Sequence, residues 1–385
     1  GAEVEVIDGR GKFLMPGLID AHWHAYLAAN TMVDLLTAHA SYTQLRAGEE
    51  AGKTLLRGFT TIRDAGGPVF GLKRAIDEGT LPGPRIYPSG AIISETGGHA
   101  DFRMVYDIPE PFDCCGLTHT EKIGAAIIAD GVDAVIVASP TIVRRVKTVA
   151  PKLEVHQIKL IAGGGVSSLY DQLEDVQYFE DELHAAVMAA EDAGTYVMVH
   201  VYVPEAIRRA IRAGVKSIEH GQLIDEPTMK LIAEKGVWLS MQPFIGEGNN
   251  HYTNPVQQAK HELVVQGTDR AYQLAKKYGV KLAWGTDLLF SPANARNQNL
   301  NIEKMTRWFS NFEILKMITH DNAELLALSG RRNPYPGKLG VIEEGALADL
   351  IVVDGNALED IKVLTDPGKN MLLIMKDGKI YKNDL

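Results

Sequence analysis

Short apolar runs alternate along most of this chain with segments whose apolar positions recur every three or four residues. Runs of the first kind, bounded by turn residues, read as strands, and the second spacing reads as helix. The pattern predicts strands over Leu14–His22, Phe59–Arg63, Arg85–Ile93, His156–Ala162, Tyr196–His200, Ser217–His220, Val237–Met241 and Leu282–Gly285. Between them, Glu205–Ala213 and Pro227–Lys235 have helical spacing and stop at Gly214 and Gly236, residues suited to a left-handed helix end. Strands and helices in this order predict an α/β chain whose parallel strands close into a (β/α)8 TIM barrel. Asp133–Ala138 carries conflicting signals, strand-like in composition but followed by Pro140 and the segment VRRVK, and is given no element.

Beyond Leu328 the texture changes to short strands punctuated by glycine, with LADLIVVDG and LLIMKDGKIY reading as hairpin material. A small β domain is expected there, with N-terminal partner strands that Val4–Ile7 alone would not complete. The expected division is residues 1–13 as an N-terminal fragment of a small, partly incomplete β-sandwich, 14–330 as the barrel, and 331–385 as the rest of the small domain. Gly1 would then enter in mid-domain. No internal repeat or low-complexity tract interrupts the pattern.

The 385 residues are 45% hydrophobic and 23% charged, which suits a large core and excludes disordered or fibrous classes. A net charge of −10, without basic runs, argues against nucleic acid or an anionic membrane as partner and for a small-molecule site. Cys114 and Cys115 are adjacent and supply no disulfide framework, so a reducing compartment is compatible. No apolar run reaches the roughly 18 residues of a membrane span, and no signal peptide is visible. A cytoplasmic protein is expected, or a periplasmic one if a leader has been removed.

Polar residues gather where the predicted strands end, which in a (β/α) barrel is the catalytic mouth. His22 and His24 lie two residues apart, so their side chains leave the strand in one direction and could grip a divalent metal, most often zinc. His200 ends YVMVH, His220 ends SIEHG, and Asp287 follows the strand in LAWGTD. Singly, each could be a hydrogen-bonded core histidine or a turn carboxylate; together they form a coherent ligand set. Lys159 lies inside the apolar strand QIKLIA, where burial favours its neutral amine. Such an amine can take up carbon dioxide as a carbamate able to bridge two metals; the alternative is a lysine reaching to the barrel rim. The Gly163–Gly165 run that follows argues for close approach of backbone to a ligand or metal.

DAHWHA, TTIRDAGG, TGGHAD, QIKLIAGGG, VHVY, SIEHG and WGTD, with LADLIVVDG and MKDGKIY, resemble the metal-dependent amidohydrolase superfamily over nearly the whole chain. Within it the chain looks most like the prolidase and Xaa-Pro dipeptidase branch, relatives of imidazolonepropionase. The resemblance implies a binuclear zinc site with His22, His24 and Asp287 on one metal, His200 and His220 on the other, and carboxylated Lys159 between them. It also implies hydrolysis of an amide bond in a dipeptide or N-acyl amino acid by a metal-bridging hydroxide, with Asp287 carrying the proton. His99 would bond the carbonyl oxygen or the oxyanion, unless it is a loop histidine held by Asp101. Tyr202, on the face of His200 if the strand persists, could bind a substrate carboxylate. Arg63 and Asp64 are expected to pair structurally, and His39, His119, His156, His184, His251, His261 and His320 to be solvated or structural.

Two other classes compete. A mononuclear deaminase or cyclic amidohydrolase of the same superfamily would pair the fifth-strand histidine with a nearby glutamate, but Glu205 is ill-spaced for this and Lys159 is present. A non-catalytic scaffold predicts gaps in the ligand set, and none is found. The loops after the first, third, seventh and eighth strands, including Asn249–Asn254, set the pocket and carry no readable code. The partner expected is a small molecule or dipeptide, with assembly as a homo-oligomer.

Overall fold

The computed structural model describes residues 5–104, 116–139, 155–168, 170–246, 252 and 254–385. The strands are β1 (Phe13–Pro16), β2 (Leu18–Trp23), β3 (Phe59–Asp64), β4 (Arg85–Pro88), β5 (Ile92–Ser94), β6 (Ala126–Ile128), β7 (Ile158–Ile161), β8 (Val197–Val201), β9 (Ser217–His220), β10 (Trp238–Met241), β11 (Leu282–Trp284), β12 (Leu350–Val353), β13 (Met371–Lys376) and β14 (Lys379–Asn383). They form a seven-stranded sheet in the order β11-β10-β9-β8-β7-β5-β6, a three-stranded sheet β2-β3-β4, and a separate four-stranded sheet β1-β12-β13-β14. Pairing is parallel throughout the first two and antiparallel in the third.

The fold is therefore α/β with a small antiparallel unit, and hydrogen bonds tie the two parallel sheets at both ends. At one, the His156 N–H donates to Pro88 O (3.0 Å) and the Gln157 amide to Tyr87 O (2.7 Å). At the other, the Asn322 amide donates to Ile19 O (2.7 Å) and Trp284 O (2.8 Å) and accepts from the Trp284 N–H (2.9 Å). One side chain thus holds β2 and β11 abreast where no ladder joins them.

Two predicted strands divide. Leu14–His22 breaks after Pro16, whose ring leaves no N–H for the ladder. Phe13–Pro16 pairs with β12 in the small sheet, and Leu18–Trp23 joins β3. β1 thus supplies an N-terminal strand to the small domain. Arg85–Ile93 likewise breaks at Ser89–Ala91, with β4 against β3 and β5 against β7 and β6. Residues 132–139 are helical. Val135 and Ala138 are buried while Ile136 and Val137 are exposed, a three-residue period that an alternating strand would not give. The readings that fall on Val4, Cys114, Cys115, Pro140, VRRVK, His251 and most of Asn249–Asn254 lie outside the described residues.

Where the pattern is regular it holds closely. The helices Pro204–Ala213 and Glu226–Lys235 end at Gly214 (φ +100°) and Gly236 (φ +63°). Asp377 and Gly378, both at positive φ, turn β13 into β14 as the DG pair requires. In β7, β8 and β9 the outward residues Ile158, Leu160, Val197, Val199 and Ile218 pack with Leu183, Ala186, Ala206 and Ile207 of the covering helices. The alternate residues point inward and carry the polar groups. Among the described residues no helix is long and apolar enough to cross a membrane.

Candidate active site

His22 is the last inward residue of β2, and His24 lies just beyond the strand. Both rings turn to one carboxylate: Asp287 Oδ1 is 3.3 Å from His22 Nε2 and 3.2 Å from His24 Nε2. Asp287 reaches this position through a left-handed backbone, φ +51°, anchored by its N–H on His22 O (2.8 Å). Gly285 lets the loop pass, since a Cβ there would lie 2.5 Å from the backbone nitrogen of His22. Burial opposes ionisation of Asp287, yet the His22, His24 and His220 imidazoles outweigh it and hold its carboxyl well below the usual carboxylate range. His22, His24 and Asp287 offer ligand atoms within 4.8 Å of one another, a group that could hold a metal ion.

Across the cavity, Lys159 and His200 follow the pleat. Register pairs Lys159 with Met198 and Ile161 with His200, so Lys159 and His200 share the inward face. His220 does not follow it. Its register partner Val201 packs outward into the core, but φ +76° at His220 turns the ring back to 4.5 Å from His200 and 4.9 Å from His22, centroid to centroid. Lys159 is 2% exposed, and burial lowers its amine to about 8 despite the nearby Glu219 and Asp287 carboxylates. Burial and neighbouring cationic groups also keep His200 and His220 neutral, His220 falling to about 3.

Each imidazole is oriented through one ring nitrogen. His22 Nδ1 donates to Glu219 Oε2 (2.7 Å), His24 Nδ1 to Gly66 O (3.0 Å), His200 Nε2 to Gly164 O (3.1 Å) and His220 Nδ1 to Gln242 Oε1 (2.7 Å). The second nitrogen of each ring is left as an electron-pair donor, which is how metal-binding histidines are prepared. The residues present therefore fit a divalent ion on the chemistry of the donor set and on its fixed tautomers.

The floor beneath is polar and closed. Arg63 donates to Glu219 Oε2 (2.6 Å), with Tyr196 and Ser240 hydroxyls also in reach (3.2 Å each). Arg63 thus pairs with Glu219 and not with Asp64, because the strand pleat sends neighbouring side chains to opposite faces. Asp64 instead accepts the N–H groups of Ala25 (2.7 Å) and Gly66 (3.2 Å). Burial opposes the charge on Glu219, but the Arg63 guanidinium and the His22 hydrogen bond hold it well below the usual range. Asp20 accepts from the His22 N–H (3.1 Å), the Thr286 hydroxyl (2.7 Å) and the Gln298 amide (2.9 Å), so one carboxylate positions both sides of the His22–Asp287 pair.

His99 stacks on His200 at 4.4 Å and 17°. Its partner is Asp171, 3.3 Å from Nδ1, while Asp101 is taken by Arg103. The Gly163–Gly165 run serves this packing: a Cβ on Gly165 would lie 2.1 Å from the His99 ring, and one on Gly164 would strike the backbone of Gln172. The close approach these glycines allow here is to the His99 ring and to the Gln172 backbone. Lys260 fastens the same loop by donating to Gly165 O (3.1 Å) and Ser168 O (3.0 Å). Tyr202 lies one residue past the end of β8, yet its ring stacks on His220 at 5.2 Å and borders the cavity.

A family model described as the amidohydrolase family matches residues 13–381. The chain belongs to the amidohydrolase family. An ochratoxinase from Aspergillus niger is 32% identical over 388 residues, covering 97% of this chain and 76% of the relative. A prolidase solved with N-methylphosphonate-L-proline is 36% identical, with a TM-score of 0.85 over 99% of this chain and 91% of the other. A Xaa-Pro dipeptidase solved with methionine in its active site is 31% identical, TM-score 0.80, over 97% and 88%.

Amidohydrolases act on C–N bonds and are typically metal-dependent, and this one gathers every expected ligand residue around one cavity. Sequence reasoning missed Glu219, Asp20, Asp171 and Gln242. Glu219 had a usable signal, a carboxylate one residue before His220 inside an apolar strand. His261, taken as solvated or structural, borders the cavity between Phe244 and Tyr252. His156 is indeed structural, buried at the start of β7 with Nδ1 bonded to Arg332 O.

Proposed function

We propose that this amidohydrolase is a binuclear zinc hydrolase that cleaves the amide bond of a dipeptide or N-acyl amino acid of the Xaa-Pro dipeptidase or carboxypeptidase type. The observation that carries the reading is the set of four imidazoles, each oriented by a fixed acceptor, converging with Asp287 and a buried Lys159. In this reading the parallel strands form a closed (β/α)8 barrel that ends near residue 330, and its expected start at residue 14 moves beyond Pro16 because Phe13–Pro16 pairs in the small sheet; residues up to Pro16 and 331–385 are assigned to the small domain. His22, His24 and Asp287 would hold one ion and His200 and His220 the other, with Lys159, carboxylated on Nζ, supplying an oxygen to both.

Bound divalent ions supply a water acidified to near-neutral pKa and polarisation of the scissile carbonyl. The protein does the rest. Asp287 accepts the proton of the attacking water on a carboxylate oxygen and returns it to the departing amine. His99, with Nδ1 beside Asp171, would donate from Nε2 to the oxyanion when its ring carries both protons, with the Asp171 carboxylate balancing the charge. The Tyr202 hydroxyl would donate to the carboxylate of the amino-acid half. The family's prolidase and dipeptidase members, and the ochratoxinase, support this substrate class. We propose a homo-oligomer on the same resemblance, to be checked by light scattering.

The compact His22–His24–Asp287 group would by itself suit a single ion, the arrangement of a mononuclear deaminase or cyclic amidohydrolase. That reading leaves Lys159 and His200 without a task. Incubation of zinc-loaded protein with a library of Xaa-Pro dipeptides and N-acyl amino acids should release free amino acid from a subset. Release from none, with ammonia freed from amino-heterocycles instead, would replace the proposal with the mononuclear one.

A further inference from the structure

Lys260 is buried, and no step of the proposed hydrolysis uses it. It lies in the long helix Pro255–Tyr278 and reaches across to the loop that follows β7. An ammonium held out of water is costly unless its three N–H groups are all bonded. Here they are: Nζ donates to Gly165 O (3.1 Å), Ser168 O (3.0 Å) and Asp171 O. The Asp171 carboxylate, with Oδ1 at 3.8 Å, balances the charge. Gln257, one turn earlier in the helix, donates to Ser167 O (2.6 Å). Gln257 and Ser167 border the outer compartment of the cavity, about 520 Å³, which lies toward Met32, Leu36 and Met104.

The loop gathered around this ammonium makes two contacts to the site. Gly164 O orients His200 at 3.1 Å. Asp171 Oδ2 is fixed by the Gly165 N–H (2.7 Å) and stands 3.3 Å from His99 Nδ1. The Gly165 backbone lies so close to the His99 ring that a Cβ there would strike it. A shift of this loop therefore moves both the partner of His99 and the surface it lies on. Three carbonyl oxygens turned toward one point repel one another, and a cation between them removes the repulsion.

We propose that Lys260 is a positioning residue for the hydrolysis: its ammonium sets the shape of the loop carrying Gly164, Gly165 and Asp171, and through that loop it aims His99 at the oxyanion. This rests on the amide-hydrolase reading. The oxyanion exists in the transition state and not in the bound substrate, so loss of Lys260 should fall on kcat and spare KM.

The test is a double-mutant cycle between Lys260→Met and His99→Ala in zinc-loaded protein. It is read in turnover of the fastest member of the dipeptide and N-acyl amino acid library and in calorimetric binding of methylphosphonate, a tetrahedral oxyanion. Lys260→Met should lower kcat about tenfold or more with KM changed less than about threefold, and weaken methylphosphonate about fivefold. In the His99→Ala background the same substitution should cost less than about twofold in either readout. n-Propylammonium, which matches the piece missing from Lys260→Ala, should restore kcat of that variant, and propan-1-ol should not. Equal losses with and without His99, a loss borne by KM alone, or equal recovery with the alcohol overturns the proposal. Should Lys260→Met fail to fold by circular dichroism, Gln257→Ala, which removes the neighbouring bond to the loop, takes its place in the cycle with the same signs expected. Absence of turnover by the wild-type protein overturns the hydrolase reading, and the methylphosphonate cycle then decides the role of Lys260. Coupling to His99 upholds the positioning role; no coupling, or no binding at all, overturns it.

Discussion

The floor of the cavity and its outer compartment are built on opposite principles. On the floor the charged groups are committed: Arg63 to Glu219, Glu219 to His22, and Asp20 to the turns carrying His22 and Asp287. These groups sit on strands, are buried, and have few alternative partners. The outer compartment is made of loops and helix starts, its surface largely apolar and its one guanidinium already paired. Buried, fully bonded networks fix position to a fraction of an ångström, whereas apolar walls accept many shapes. The difference separates chemistry, held rigid below, from walls left adjustable above.

Glu219→Ala should break this contrast most severely. It leaves the Arg63 guanidinium buried without its carboxylate and frees the His22 ring, which removal of one partner of a buried pair makes costly, about 3–5 kcal/mol. Denaturant unfolding would measure the loss; a change of less than about 1 kcal/mol would mean that the floor is not rigid. Lys159→Ala should abolish turnover and leave about one metal equivalent instead of two. Full activity with one equivalent would return the site to the mononuclear reading. Asp287→Asn should lower kcat by about 10²-fold or more, and unimpaired turnover would remove it as proton carrier.

A smaller effect should come from His156, below the floor. Burial lowers its imidazole from 6.5 to about 3, so the unfolded chain takes up a proton that the folded chain refuses. Its contribution to stability is complete above pH 6.5 and shrinks as pH falls toward 3. His156→Gln should flatten that part of the stability profile, read from midpoints of denaturation at stepped pH. Least of all should come from the outer compartment, where Ser167 reaches His99 Nε2 only at 3.4 Å. Ser167→Ala should change kcat/KM by no more than about twofold; a tenfold loss would show that this wall takes part in the chemistry.

The same contrast governs what could be read from sequence. Strand ends were legible because a histidine or lysine inside an apolar run has few structural reasons to be there, and His22, His24, Lys159, His200, His220 and Asp287 do border one cavity. The breaks at Pro16 and at Ser89–Ala91 were not, because an apolar run passing from one sheet to another keeps its composition. Register explained His200 but not His220, whose left-handed backbone defeats the two-residue period. Asp171 and Asp101 are equally plausible partners for His99 on the page of letters; only the folding of the loop after β7 decides between them. The outer compartment had no pattern to read, since Met32, Phe102, Tyr252 and Phe290 come from a helix start and separate loops.

The central claim is that Lys159 bridges two ions as a carbamate. A crystal structure of zinc-loaded protein grown in bicarbonate, with anomalous maps at the zinc edge, tests it directly. The account predicts two peaks about 3.5–4 Å apart, one beside His22, His24 and Asp287 and one beside His200 and His220, with density continuing past Nζ of Lys159 to both. A single peak, or a bare amine at Lys159 beside two occupied positions, would contradict it.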